Sequence, residues 1–173
     1  MIQTERLLLR RWTPSDADAF AAINLDPEVA YWLGGPTFAN APGQMDRYNA
    51  AIDAHGGGRF AVERMSDRLM IGAVGLMPIG AGLPLSGFEV GWRIARPAWG
   101  QGYASEAARA ALDHAFACGA EEVLAFTSET NARSRAVMMR LGMRRDPTRD
   151  FDHPLLDEGD PIRRHIVYAA QSS

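Results

Sequence analysis

The residues from Gly87 to Phe116, GFEVGWRIARPAWGQGYASEAARAALDHAF, carry the clearest chemical signal in the chain. An alternating strand gives way to a loop with two glycines, and the loop leads straight into an alanine-rich helix. Gly100 and Gly102 remove side chains where the backbone must turn and come close to a ligand. The first N–H groups of a helix lack intrahelical partners, and with the helix dipole they attract an anion. A diphosphate has that chemistry. The loop has no P-loop lysine, so it is unlike a nucleoside-triphosphate hydrolase site. It also lacks the third glycine and the later acidic residue of a dinucleotide fold. Two glycines before a helix serve an ordinary structural turn equally well, and both readings stand at this point.

Three stretches, one of them inside this segment, narrow the choice. Trp99 to Ala107 reads Trp-Gly-x-Gly-Tyr-Ala-x-Glu-Ala, Thr4 to Arg10 reads T-E-R-L-x-L-R, and Asn131 to Met143 reads N-x-x-S-x-x-V-M-x-x-L-G-M. Together they resemble the GNAT superfamily of N-acetyltransferases, and within it the RimJ/RimL-like branch that acetylates the N-terminal alanine of ribosomal proteins. The loop is similar to the superfamily's motif A, although Pro97 stands where Gln or Arg is usual.

The resemblance implies acetyl-CoA as co-substrate and direct attack of an amine on the thioester. It implies that the backbone of Trp92, Arg93 and Ile94, on a splayed strand, pairs with the pantetheine arm. The loop amides of Trp99, Gly100, Gln101, Gly102, Tyr103 and Ala104 would hold the pyrophosphate, and Asn131 and Ser134 would face the arm. Asn131 is equally a helix N-cap. Many members place a tyrosine donor where this chain has Met138; in the branch a serine is assigned instead, which maps to Ser134.

For the base, alternation puts Glu89, Gly91 and Arg93 on one strand face. Glu89 would relay the amine's proton through water; a surface or Arg93-paired glutamate is the competing reading. Gly91 suits either a bulge or close packing. Tyr31, Trp32, Phe38 and His153 are the candidates for the acceptor pocket, against a hydrophobic lid or an ordinary loop histidine. Glu106 sits in a helical first turn, where the dipole favours it. His153 and His165 lack the partners of a zinc site, and no metal is expected. Cys118, the single cysteine, reads as apolar filler. The arginines at 133, 135, 140, 144, 145 and 149 are either a solvated face or, in part, contacts to the coenzyme 3′-phosphate.

These groups need a scaffold. Strands are expected over Thr4–Trp12, Arg59–Met65, Leu69–Met77, Gly87–Ala95, Glu122–Thr127, 143–150 and 163–169. Helices are expected from Thr13 to about residue 25, from about Gln44 to His55, over Gly102–Cys118 and over Asn131–Leu141. Residues 30–43 read as a loop or short helices. The pattern predicts an α/β (α+β) fold, with a mixed, mostly antiparallel sheet of about seven strands and helices on both faces. A single domain over residues 1–173 is expected.

All 18 basic residues are arginine, so a catalytic lysine is excluded, and the net charge of −3 disfavours general nucleic-acid binding. No apolar run matches a membrane span or a signal peptide. The expected location is cytoplasmic, and the expected partners are acetyl-CoA and an amine acceptor, a peptide N-terminus or a small amine. No membrane or specific nucleic-acid contact is expected, and a homodimer is left open.

Overall fold

The structure is a computed structural model, and it describes residues 1–33 and 41–172. Its strands are β1 (Ile2–Gln3), β2 (Leu7–Arg10), β3 (Arg59–Arg64), β4 (Leu69–Pro78), β5 (Phe88–Ile94), β6 (Glu122–Ser128), β7 (Arg144–Arg145), β8 (Phe151–Asp152) and β9 (Arg164–Gln171). Its helices are α1 (Ala17–Leu25), α2 (Pro27–Ala30), α3 (Ala41–His55), α4 (Tyr103–Ala117) and α5 (Ala132–Arg140).

The strands lie in one sheet in the order β1-β2-β3-β4-β5-β6-β9-β7, with β8 also on β9. Every pair is antiparallel except β5–β6, because α4 crosses over between those two strands. That parallel pair meets in register only at Glu89 and Leu124. On its other side β5 pairs with β4 along its whole length, from Phe88 to Ile94. The two central strands therefore touch at one end and part at the other.

Burial follows the two-residue alternation of the strands. On one face Val62, Val74, Val90 and Val123 pack against Ala107, Ala108, Ala111 and Leu112 of α4. Alanine at these positions lets α4 lie close to the sheet. On the other face Ala61 and Ala73 meet Trp12, Phe20, Met45 and Tyr48, bringing α1 and α3 down. Burying each of the larger side chains stabilises the fold by about 1.5–3 kcal/mol. No described helix is long and apolar enough to cross a membrane.

The structure departs from the expected elements in three places. The strand expected over Thr4–Trp12 is a short hairpin instead: Thr4 N donates to Leu7 O at 2.9 Å, and β1 folds back so that Ile2 faces Leu9. The strand expected over 143–150 is two residues long. Pro147 has no N–H for a ladder, and the Asp146 side chain accepts from Thr148 N, turning 147–149 into a 3-10 turn. A further two-residue strand, β8, sits in what reads as loop, so nine strands are described rather than about seven. The β4–β5 register runs unshifted through Gly91, so no bulge lies there. Phe38, a candidate for the acceptor pocket, lies outside the described residues.

Candidate active site

The glycine loop ends as a helix start. Gly100 and Gly102 have φ of 76° and 84°, left-handed conformations that a β-branched residue strongly disfavours. A Cβ on Gly100 would meet no described residue within 4 Å, so conformation rather than space demands the glycine. Gly102 is the N-cap of α4 and offers no side chain to its amides. The first helical bond runs from Glu106 N to Gly102 O at 3.0 Å, leaving the amides of Tyr103, Ala104 and Ser105 without a residue four places back in the helix. Ser105 Oγ is buried on the wall of the adjoining cleft, without a hydrogen-bond partner among the described residues. An unmatched buried hydroxyl costs about 1–3 kcal/mol, and an anionic ligand at the loop would relieve it. The loop, the uncapped helix and this hydroxyl together fit the pyrophosphate of coenzyme A.

A clamp holds the loop from behind. Glu106 Oε1 accepts from Thr4 Oγ1 at 2.6 Å and from Arg6 N at 2.9 Å, and its Oε2 accepts from Arg6 Nε at 2.7 Å. Arg6 Nη1 then donates to Gln101 O at 3.0 Å, and its guanidinium lies 4.6 Å from the Tyr103 ring centroid. Glu106 is thus tied to the N-terminal hairpin, beyond any dipole effect. Burial pushes its carboxyl up, but the bonds from Thr4 and Arg6 and the Arg6 charge outweigh this and hold it below its usual value. A group so lowered contributes stability above its unfolded pKa of about 4.3 and loses it as the pH falls through the folded value. Since Arg6 is largely solvated, Glu106→Gln is expected to cost about 1 kcal/mol and roughly 2–4 °C in Tm at pH 7. The gap should close on acidification, as thermal melts across pH would read out.

Between β5 and α5 runs a cleft of about 790 Å³, lined by Trp92, Ile94, the loop, and residues of α5 and its cap from Asn131 to Arg140. Ala95 N donates to Ile71 O at 2.8 Å, so the antiparallel alternation turns the backbone of Arg93 toward β4 and that of Trp92 and Ile94 toward the gap. The Ile94 carbonyl is taken by Trp99 Nε1 at 2.7 Å, and Arg133 stacks on the Trp99 ring. Asn131 caps α5 by accepting from Ser134 N at 3.2 Å, and its amide donates to Thr127 Oγ1 at 3.1 Å. Trp92 Nε1 donates to Ser134 Oγ at 3.3 Å, which leaves the serine's own proton to be given elsewhere.

A second pocket, of about 160 Å³, joins the first; both are lined by Trp32, Leu33, Trp92, Arg93, Asn131 and Ser134. Glu89 lines it, bonded not to Arg93 but to Arg59, whose Nη2 donates to Glu89 Oε1 at 3.0 Å. A Cβ on Gly91 would fall 2.2 Å from that same Nη2, so Gly91 makes room for the guanidinium. Arg93 is buried, donating to Asn24 Oδ1 at 2.5 Å and Gln44 Oε1 at 3.1 Å. Met138, one turn beyond Ser134, is a buried apolar wall.

The other candidates fall as follows. Trp32 lines both cavities, and Tyr31 packs edge-on against it while half exposed. His153 packs at a tilt against Phe151 and His165, and the pocket-lining Phe126 borders this ring cluster. Burial holds both histidines below their usual range, which favours their neutral form. Of the arginine run, Arg133 and Arg140 line the cleft, while Arg145 pairs with Asp150 and Arg149 with Glu122. Arg59, Arg6 and Thr127 escape a reading of the sequence, since their partners are distant in the chain. Arg59 has one local mark, a charge opening an apolar strand.

A family model described as "Acetyltransferase (GNAT) domain" matches residues 6–144. The N-acetyltransferase YoaA of Bacillus subtilis is 25% identical over 150 residues, covering 84% of each chain. The structure of a GNAT-family acetyltransferase from Bacillus anthracis superposes with a TM-score of 0.80 at 24% identity, covering 98% of this chain and 97% of that one. The ribosomal-protein-S5-alanine acetyltransferase from Vibrio fischeri gives 0.76 at 20% identity, over 98% and 94%. The spermidine N-acetyltransferase from Vibrio cholerae, solved with CoA and spermine, gives 0.75 at 18%, over 97% and 96%. At such identities the structural likenesses speak for the fold.

Proposed function

The chain belongs to the GNAT family of acetyltransferases, and from that premise we propose that residues 1–173 act as one domain that acetylates a protein N-terminal amine in the cytoplasm. It is an acyl-CoA-dependent N-acetyltransferase whose co-substrate is acetyl-CoA. The observation that carries the site reading is the junction of the two cavities at Trp92, Asn131 and Ser134, where the parted strands let one side meet the other. The RimJ/RimL-like acceptor is supported by the three matched sequence stretches. A small amine is the second reading, supported by the equal likeness in fold to a spermidine acetyltransferase.

In this reading the amides from Trp99 to Ala104 and the Ser105 hydroxyl hold the pyrophosphate, with Arg133 and Arg140 near the adenosine end. The backbone of Trp92 and Ile94 pairs with the pantetheine arm, and Arg93 anchors their strand from below. Acetyl-CoA supplies the thioester carbonyl and the thiolate leaving group. Glu89, oriented by Arg59, takes the acceptor's proton directly or through water. Backbone N–H groups in the gap polarise the carbonyl. Ser134 gives its proton toward the leaving sulfur, its oxygen being held by Trp92. Trp32, with Tyr31 behind it, borders the acceptor, and His153 stands in the ring cluster at that mouth.

Turnover of acetyl-CoA, followed as free thiol against a panel of peptides and small amines, tests the function. CoA binding without turnover on any amine would mean a non-catalytic module. Ser134→Ala is expected to lower kcat by about tenfold or more while leaving the KM for the acceptor little changed. A near-normal kcat would remove Ser134 from the proton path.

A further inference from the structure

We infer that the acceptor carries a carboxylate close to its amine, and that Arg59, seconded by Arg93, selects it. The inference rests on the acetyltransferase reading above and deepens it.

Among the described residues, the charged side chains lining the smaller pocket are Arg59, Arg93 and Glu89, two guanidinium groups against one carboxylate. Asn24 and Gln44, which bond Arg93, are neutral amides. The segment 34–40, GGPTFAN, carries no charge in its sequence. Arg59 is largely buried; one of its nitrogens bonds Glu89, and its buried Nε has no hydrogen-bond partner among the described residues. The room for its head is built in, because any side chain at Gly91 would displace it.

The two cations also sense each other. Burial, and after it the charge of Arg59, push Arg93 down to about 10, so both remain protonated at neutral pH. Burial likewise weighs against Arg59, but Glu89 and Tyr48 more than offset it.

Such a pocket draws an anion and opposes a second cation. A polyamine, whose remaining ammonium groups stay charged, would add like charge to a site already positive by one. A carboxylate beside the reacting amine would balance it, and a guanidinium binds carboxylate through a planar pair of donors. Glu89 would then face the amine while Arg59 faces the acid, two opposite groups of one small acceptor. The carboxylate has two sources: the α-carboxylate of a free amino acid, or an acidic side chain next to a peptide N-terminus.

The test compares matched twins by kcat/KM: an amino acid with its carboxamide, a peptide opening Ala-Asp with one opening Ala-Asn, and spermidine. The expected result is a preference of about tenfold or more for the acidic member in one pair, with spermidine poorest. The pair that shows it identifies the source. In Arg59→Gln, and in Gly91→Ala, which pushes the guanidinium aside, the preference should fall to about twofold or less. The ratio within a pair is unaffected by a loss of rate common to both twins, so it separates selection from mere structural damage. Equal rates on both twins, a preference for spermidine, or a ratio kept in Arg59→Gln would overturn the inference and leave the acetyltransferase intact. If no amine turned over, that underlying reading would fall. Calorimetry on the CoA-loaded wild-type protein, with an N-acetyl amino acid and its amide, would still read the carboxylate. Equal binding of the two would overturn the inference by itself.

Discussion

Glu89→Gln is expected to lower kcat by about a hundredfold or more while CoA affinity stays within about twofold. The amide keeps the size and one oxygen for Arg59 but cannot carry off a proton. Glu89 lines the smaller pocket and not the larger cleft, so the proposed coenzyme contacts are untouched. The substitution also leaves the Arg59 guanidinium without its carboxylate, which removes an ion pair 3.0 Å long from a largely buried place. Some loss of stability is therefore expected, and thermal melts should accompany the kinetics. Steady-state rates with saturating acetyl-CoA, set beside calorimetric Kd for CoA, separate the two effects. A variant with near-normal kcat would leave Glu89 a purely structural partner of Arg59.

Gly102→Val should weaken CoA binding by more than about tenfold, or roughly 1.4 kcal/mol. At φ 84° a β-branched residue is strained, so the backbone must move away from its present path. That movement falls on the N-cap of α4, the residue that aims the first free amides of the helix. Space contributes little: a Cβ there would meet only Arg6 Nη2, at 3.5 Å. Alanine should therefore weaken binding in the same direction but less, because it is less restricted at positive φ. Unchanged affinity in a folded Gly102→Val protein would break the link between the loop and the pyrophosphate.

Both expectations turn on how local each feature is. The glycine loop was legible because a left-handed turn and a helix start depend on a few neighbouring residues. The order of strands and helices was legible for the same reason, through apolar periodicity and caps such as Asn131. The failures were also local in cause. Thr4 and Pro147 interrupt runs that otherwise read as continuous strand, one by turning the chain and the other by lacking an N–H. Gly91 read as either a bulge or a packing glycine, and the structure gives the second; the side chain it makes room for comes from β3, which periodicity does not reveal.

The sequence by itself determined a glycine-marked helix start after a strand, an α/β arrangement around it, and the residue types at Glu89 and Ser134. These follow from backbone preference and spacing along a short stretch of chain. Only the tertiary structure decided what surrounds them. Glu89 meets Arg59 from 30 residues away, Arg93 meets Asn24 from 69, and Glu106 meets Arg6 from 100. Only chain folding brings such pairs together, and no local propensity encodes a partner that far off. It was the sheet, placing β3 and β5 on either side of β4, that set the guanidinium groups of Arg59 and Arg93 beside the carboxylate of Glu89.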